Sequence, residues 1–306
     1  MVEAENAKGF LDALNARRGD GRDYLGLDSG FEHLNEILNG LTEGLFILIG
    51  MPSCGKTTLA KQIADHVAEK EKIPVLFYSF EQSTEELQIK SLARLSQVDS
   101  RVIRKGRTAG DIAWAKVEAA QRDYLSGPGP YLAVIEAGLT DTVEAIRAGA
   151  LMAKRKAGTE RVFLVLDYLQ VIPAGKDAPD HRSERIDWNL SELRRLSRDL
   201  KSPVLVLSTL NRAAYGDPTR PPTLIAMKES GGIEYSADVV ICLWRDSTEA
   251  ENLTGKCGRS TARVEAHVLK NRNGESAKIK LNFTPSWALF AEGDKEDLGY
   301  DAVVGK

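Results

Sequence analysis

Residues 45–49 are Leu-Phe-Ile-Leu-Ile, and residues 50–57 follow as Gly-Met-Pro-Ser-Cys-Gly-Lys-Thr. The second stretch fits the pattern G-x-x-x-x-G-K-[ST] at every fixed position, between an apolar strand and a segment with helical spacing. The glycines allow a tight turn in which backbone N–H groups and the helix N-terminus surround a polyphosphate. Lys56 then supplies a cation for the β- and γ-phosphates, and the Thr57 hydroxyl is placed to bind Mg²⁺. A chance Gly/Lys pattern in a loop is the alternative, which the order of strand, loop and helix disfavours. The stretch therefore predicts binding and hydrolysis of a nucleoside triphosphate.

The composition indicates one soluble body of enzyme size. The chain has 306 residues, of which 42% are hydrophobic and 28% are charged, enough for one large core. No apolar run approaches the roughly 18 residues of a membrane span, and residues 1–10 lack the apolar core of a signal peptide. We therefore expect a cytoplasmic protein with no membrane partner.

Charge and cysteine content leave the partners open. The net charge of −3 neither indicates nor excludes nucleic acid, because a ring protein can confine its basic groups to a central channel. Cys54, Cys242 and Cys257 form no C-x-x-C pair, so we expect reduced thiols and no structural metal.

Two later apolar runs end in acidic residues. The run at 73–81 ends in Glu81, and the run at 162–167 ends in Asp167. In a parallel α/β sheet the carboxyl ends of the strands face the ligand, so Glu81 would lie beside the nucleotide. Asp167 would hold the Mg²⁺ water shell opposite Thr57. Each residue has a simpler alternative: Glu81 as a helix-capping or solvated residue, and Asp167 as a turn residue.

The rest of the chain alternates strands with helices of about a dozen residues or more, which indicates a mostly parallel sheet covered on both faces. A polar stretch at 173–187 predicts a mobile loop, and 213–222 is rich in turn residues. Further strands are predicted at 131–135, 203–208 and 238–244, and a closing antiparallel set at 262–270, 276–283 and 287–290, with Asn273-Gly274 as a hairpin turn. Further helices are predicted after Asp28-Ser29 and at 58–70, 83–96, 109–125, 140–156 and 188–200.

The segment 4–18 reads as a short amphipathic helix with Phe10, Leu11 and Leu14 on one face. So short an apolar face has little of its own to pack against. It either docks on the domain or on a neighbouring copy, or it is a frayed tail.

Six stretches of the chain resemble, in the same order, the motifs of the RecA-like motor domain of DnaB-type replicative helicases. They are the phosphate loop, YSFEQSTEEL at 78–87, LVLDYLQVI at 164–172, VLSTLNR at 206–212, KESGGIEYSADVV at 228–240 and LKNRNG at 269–274. The resemblance covers residues 5–291, and the strings D-Y-L-Q and E-S-G-x-I-E-x-x-A-D are far more specific than the phosphate loop alone.

The resemblance implies an α/β RecA-like P-loop ATPase that uses ATP and Mg²⁺, forms a homo-oligomeric ring, a hexamer, and moves on single-stranded DNA. By it, Glu81 orients the attacking water and Asp167 serves the metal. Lys270 and Arg272 would reach the next subunit's nucleotide, Lys228, Glu229 and Gly231 would grip the DNA backbone, and Thr209 and Asn211 would sense the γ-phosphate. The implied nucleotide contacts are Gly50, Pro52, Ser53, Cys54, Gly55, Lys56, Thr57 and Thr58.

Two departures from the family pattern qualify these expectations. The family usually carries Gln where this chain has Thr209, and the N-terminal collar domain that meets the primase is absent. We therefore expect a docking helix at 1–22, a motor domain at 23–291 and a disordered tail at 292–306, with a helicase loader or primase as a further partner. The alternative is a nucleotide-controlled assembly or recombination ATPase, akin to RecA, RadA or KaiC, that does not unwind processively.

Overall fold

The computed structural model describes residues 23–106, 110–209, 231–245 and 261–293. The predicted helix 4–18, the segment 213–222 and residues 294–306 of the predicted tail lie outside these ranges, as do Asn211, Lys228 and Glu229. Within the described ranges, no helix is both long enough and apolar enough to cross a membrane.

The described residues form a nine-stranded sheet in the order β3-β2-β4-β5-β1-β6-β7-β8-β9. Strands β1 to β6 pair in parallel, and β7 to β9 continue the sheet as antiparallel strands. This confirms the predicted α/β class, with a mostly parallel sheet and a C-terminal antiparallel extension. The strands are β1 (Gly44–Gly50), β2 (Val75–Ser79), β3 (Leu132–Glu136), β4 (Phe163–Asp167), β5 (Pro203–Thr209), β6 (Val239–Trp244), β7 (Ala262–Asn271), β8 (Ala277–Thr284) and β9 (Leu289–Glu292).

Helices cover the sheet on both faces. In chain order they are α1 (Glu32–Leu38), α2 (Lys56–Glu71), α3 (Thr84–Ser96), α4 (Ser100–Lys105), α5 (Asp111–Ser126), α6 (Val143–Ala157), α7 (Arg182–Leu200) and α8 (Gly231–Ser236).

Strand β1 shows why the apolar runs of this chain are continuous rather than alternating. Side chains on a strand point to opposite faces in turn, and both faces of β1 are buried. Phe46 and Leu48 enter a core with α1, α2 and α3, whereas Leu45, Ile47 and Ile49 enter a second core with α6, α7 and α8. The strand is therefore solvated on neither face, as expected for a parallel sheet between two helical layers.

The last strand, β9, fastens the first helix to the sheet. The Glu292 carboxylate accepts hydrogen bonds from the backbone N–H groups of Glu32 and His33, both at 2.9 Å. These are N–H groups of the first turn of α1, which have no partner within the helix. Since a negative charge also suits a helix N-terminus, Glu292 takes the place of a local cap, which α1 lacks.

The predicted end of strand β2 and the predicted start of helix α7 are wrong. Strand β2 ends at Ser79 instead of Glu81, because the Ser79 hydroxyl donates to the Gln82 carbonyl at 2.6 Å and closes a turn. Helix α7 begins at Arg182, inside the predicted loop 173–187, because Ile186 packs on the second core. The Asn189 side chain also donates to the Ile172 carbonyl at 3.0 Å and holds the start of α7 against the preceding chain.

The connection between β7 and β8 has the length implied by the predicted strand bounds and is shifted by one residue. Asn273-Gly274 lies within a connection of residues 272–276. The Asn271 side chain donates to the Ile37 carbonyl at 3.0 Å and accepts from the Asn273 N–H at 3.3 Å. The hairpin is thus anchored to the end of α1, which a sequence-local turn rule does not anticipate.

A buried ion cluster joins α2 to α3. Lys61 donates to Asp65, and the Asp65 carboxylate also receives Arg94 at 2.8 Å and the Ser91 hydroxyl at 2.6 Å. The side chains of Lys61 and Asp65 are 1% and 2% exposed. Burial alone would raise the pKa of Asp65, but the two cations outweigh it and lower that pKa. The cluster fixes the phosphate-loop helix against the helix that follows Glu81.

Asp65→Asn should destabilise the fold strongly, because it leaves the Lys61 ammonium buried without its counter-charge. Breaking one partner of a buried pair costs roughly 3–5 kcal/mol. Urea unfolding at fixed protein concentration measures the change, with Asp199→Asn as the matched control, since Asp199 pairs with Arg147 at the surface. A loss below about 1 kcal/mol for Asp65→Asn, the range of an exposed pair, would show that the cluster contributes little.

Candidate nucleotide-binding site

The phosphate loop, residues 51–55, connects the carboxyl end of β1 to the start of α2. Gly55 has φ +98°, a conformation that side-chain-bearing residues rarely adopt. A Cβ at this position would lie 2.7 Å from Cζ of Phe290, which stacks on Phe283 with ring centroids 4.2 Å apart. The loop therefore rests on an aromatic floor supplied by β8 and β9, and residue 55 must be glycine for it to do so.

Lys56 points into the loop. Its ammonium donates to the carbonyls of Gly50 and Met51, each at 2.9 Å, and the residue is buried. An ammonium has three N–H donors, so one remains beyond those two bonds. The cation is thereby held within the turn that would surround a phosphate.

Thr57 and Asp167 are hydrogen-bonded to each other at the carboxyl ends of the parallel strands. The Thr57 hydroxyl donates to Asp167 Oδ2 at 2.7 Å, and Asp167 is the last residue of β4. Burial raises the pKa of the Asp167 carboxyl, the Thr57 hydrogen bond opposes this, and the Glu81 carboxylate raises it further. A hydroxyl and a carboxylate side by side are oxygen donors of the kind that Mg²⁺ prefers. The pair thus fits the predicted metal site, and the simple turn reading of Asp167 does not explain its burial.

Glu81 lies just past the end of β2, exposed and electrostatically coupled to Asp167. The Phe80 N–H donates to the Asp167 carbonyl at 2.8 Å, which holds this segment against the end of β4. Glu81 is not the helix cap. Ser83 caps α3 and forms a reciprocal capping box with Glu86. Glu81 is therefore left available at the ligand edge.

Thr209 ends β5 directly opposite Gly50 of β1. Its neighbour Ser208 accepts a hydrogen bond from the Gln170 side chain at 2.7 Å, which ties the end of β4 to the end of β5. The structure thus brings Thr209 to the phosphate loop. Asn211, predicted alongside it, lies beyond the described part of the chain.

Lys90 is electrostatically coupled to Asp167, and sequence reasoning missed it. It lies on α3, and burial lowers its pKa, while the carboxylates of Glu86 and Asp167 raise it. The only available signal is its position four residues after the capping Glu86, which places both on one helix face. Gln170 was likewise quoted within D-Y-L-Q without a role.

Lys270 and Arg272 lie near the amino ends of the parallel strands, opposite the phosphate loop. The Arg272 N–H donates to the Asp238 carbonyl at 3.0 Å, and the Asp238 N–H donates to the Leu45 carbonyl at 2.9 Å. Arg272 is therefore level with the amino end of β1. Gly50, at its carboxyl end, is five residues further along, or roughly 17 Å at strand spacing.

Both cations are bonded to residues of their own chain. Lys270 donates to the carbonyls of Glu234 and Ala237, both at 2.6 Å, and Arg272 pairs with the Asp238 carboxylate at 2.9 Å. The Arg272 side chain nevertheless remains 51% exposed. Of the predicted DNA contacts, Gly231 opens α8, and Lys228 and Glu229 precede the described range.

Solved structures share this architecture. The ATPase domain of G40P superposes with a TM-score of 0.82 at 23% identity, covering 94% of this chain and 98% of that one. A DnaB-like replicative helicase, described with its interactions with primase, gives 0.81 at 23% identity, covering 93% and 67%. These likenesses establish a RecA-like ATPase fold.

Curated relatives are more similar in sequence. The replicative DNA helicase DnaB of Leifsonia xyli is 31% identical over 284 residues, 92% of this chain and 59% of the relative. That of Pasteurella multocida is 32% identical over 266 residues, 87% of this chain and 55% of the relative. This chain thus spans little more than half the length of these relatives. The DnaB-like helicase C terminal domain family matches residues 26–292, and the chain belongs to that family.

Proposed function

We propose that this protein is an ATP-driven motor that translocates on single-stranded DNA and unwinds duplex DNA during replication, as a ring of identical subunits. One observation carries the proposal. The phosphate loop with Thr57 and Asp167 lies at the carboxyl ends of the parallel strands, whereas Lys270 and Arg272 lie near their amino ends. A single copy has both halves of a site but cannot join them, because the separation exceeds the reach of an arginine side chain.

ATP with Mg²⁺, when bound at the phosphate loop, supplies the phosphoryl group and the charge of the metal. Lys56 and the backbone N–H groups of the loop would hold the β- and γ-phosphates, and Thr57 and Asp167 would hold the metal. Glu81, whose charge raises the pKa of the neighbouring Asp167 carboxyl, would accept a proton from the attacking water at the same ends of the strands.

A neighbouring subunit would complete the site with Lys270 and Arg272. The guanidinium carries a fixed charge and a fork of N–H donors that matches phosphate oxygens. Supplied in trans, such an arginine is worth about 10³–10⁵ in rate. Ring closure follows from this head-to-tail arrangement when the rotation between copies closes, and a hexamer is our specific proposal.

For DNA, we propose that Lys228, Glu229 and Gly231 contact the sugar-phosphate backbone in the ring's channel. The family resemblance supports this, together with the position of Gly231 at the start of α8, which packs on α7 through the second core. Thr209 and Asn211 would sense the γ-phosphate beside the phosphate loop.

The domain organisation and further partners are proposals as well. They comprise a docking helix at 1–22, a motor at 23–291 that Glu292 of β9 extends by one residue, a tail over the remainder of 292–306, a cytoplasmic location and a loader or primase as partner. The alternative of an assembly or recombination ATPase is not favoured. The relatives are named replicative helicases, and a KaiC-like protein of Pyrococcus horikoshii superposes less well, with a TM-score of 0.55.

Glu81→Gln should keep ATP binding and lose turnover, because the amide is nearly isosteric but a poor proton acceptor. General-base removal costs about 10²–10⁴ in rate, so kcat should fall by at least about 100-fold. Nucleotide titration and steady-state ATPase assays measure the two quantities. Glu85→Gln, an exposed glutamate in the first turn of α3, should behave as the wild type. Normal turnover of Glu81→Gln would remove Glu81 from the catalytic assignment.

Lys228→Ala should weaken single-stranded DNA binding about equally for all oligonucleotide sequences, because phosphate contacts carry no sequence information. The slope of log K against log salt should decrease in magnitude by roughly 0.7 for the lost contact. Lys156→Ala, on the exposed end of α6, is the matched control. An altered sequence preference at an unaltered slope would contradict a backbone role.

Arg272→Ala alone should bind ATP and hydrolyse it about 10³-fold more slowly or worse. Mixed with Lys56→Ala subunits it should recover activity, because an intact site then forms between its phosphate loop and the neighbour's arginine. The double variant Lys56→Ala/Arg272→Ala is the control, since it offers neither half and should restore nothing. If Arg272→Ala turns over normally, or if no mixture recovers activity although mixed assembly is verified, the shared-site proposal fails.

A further inference from the structure

Asp238 lies where β1, β6 and the β7–β8 hairpin come together. Its N–H donates to the Leu45 carbonyl at 2.9 Å, and its Oδ2 accepts the Leu45 N–H at 3.0 Å. Its carbonyl accepts the Arg272 N–H at 3.0 Å. Backbone and side chain together fix the Asp238 carboxylate to the start of the central strand.

The other carboxylate oxygen faces two arginines. Oδ1 accepts Arg272 Nη1 at 2.9 Å and Arg194 Nη2 at 3.2 Å. The Arg194 side chain is 19% exposed and also reaches the Tyr235 carbonyl at 3.4 Å, so it is enclosed within the fold. Arg272 is far more exposed and contacts Asp238 through one terminal nitrogen.

A guanidinium has five N–H donors. Among the described residues, the Arg272 side chain is bonded to Asp238 through Nη1, which leaves N–H donors of the guanidinium that Asp238 does not engage. Lys270 is anchored to the same segment, through the carbonyls of Glu234 and Ala237. Both cations are therefore bonded to the segment that runs from Glu234 in α8 to Asp238 before β6.

We propose that Asp238 is a positioning residue for the trans-acting arginine: it fixes the orientation in which Arg272 presents its free N–H groups to the neighbouring subunit's phosphate. This inference rests on the proposed shared site. A long side chain at a hairpin otherwise samples many rotamers, and misplacing a reacting group by about 1 Å can cost 10²-fold in rate. Holding the guanidinium at one nitrogen restricts it before the neighbour binds.

The substitution Asp238→Asn separates the two roles of this carboxylate. The asparagine carbonyl can still accept the Leu45 N–H in place of Oδ2, and its amide nitrogen then faces Arg272 and Arg194, where it cannot accept. Asp238→Asn should lower kcat for ATP about 10- to 100-fold. The Kd for an ATP analogue should stay near the wild-type value. Asp199→Asn, which breaks another Arg–Asp pair of this chain, is the matched control and should leave kcat unchanged.

Two further measurements distinguish positioning from a structural role. In single-turnover assays, Asp238→Asn should reduce the rate of Arg272→Ala by less than about twofold, because residues that act through one contact are not additive. Mixed with Lys56→Ala subunits, Asp238→Asn should regain activity, since the neighbour then supplies an arginine that is correctly held. Arg194→Gln, which leaves the Asp238–Arg272 pair intact, should keep kcat within about twofold, by the same reasoning.

Additive losses, no recovery on mixing, or an Arg194→Gln loss equal to that of Asp238→Asn would each overturn the inference. If Asp238→Asn does not fold, Asp238→Glu keeps the charge but displaces the carboxylate by one methylene, and the same outcomes apply. An inactive Arg272→Ala with a fully active Asp238→Asn rejects this inference alone. A fully active Arg272→Ala rejects the shared site on which it rests.

Discussion

The parallel pairing of β1 between β5 and β6 is the constraint on which the rest of the structure depends. Gly50 and the phosphate loop lie at the carboxyl end of β1, and Asp238 is bonded to Leu45 at its amino end. Because a buried strand is straight and unsolvated, these two ends are kept at a fixed separation. The distance between the phosphate loop and the hairpin cations is thus a property of the core.

At the carboxyl ends of the strands, the properties of the Asp167 carboxylate depend on its burial and on its hydrogen bond with Thr57. Asp167 is buried at the end of β4, where desolvation raises the pKa of its carboxyl and the Thr57 hydroxyl partly offsets this. Such a site favours a cation that can replace the lost hydration. On the far side of α2, the Lys61–Asp65–Arg94 cluster fastens the phosphate-loop helix to α3, so the loop and the segment that bears Glu81 are joined through the interior.

How far the sequence predicts this molecule depends on the range of the interaction involved. The parallel strands, the phosphate loop and Asp167 follow from local pattern. Each strand is a short apolar run, and the glycine-rich loop and Asp167 come directly at the ends of such runs. The start of α7 was missed since residues 182–187 are polar and their helix is supported by Asn189 and Ile186 across the fold. The roles of Lys90 and Asp238 do not follow from their local sequence, although Asp238 ends a quoted motif, because their partners lie on other elements. The same holds for the contacts of Lys270 and Arg272 with residues 234–238.

The aromatic floor under the phosphate loop has a consequence for the order in which the molecule is completed. Phe283 and Phe290 belong to the last two strands, and Gln62 of the following helix is bonded to Phe290 across 228 residues of sequence. A chain emerging from the ribosome makes its phosphate loop long before it makes the surface on which that loop rests, and contacts of such long range form late and slowly. The nascent polypeptide therefore carries the phosphate-loop motif before it contains the two strands on which the loop rests.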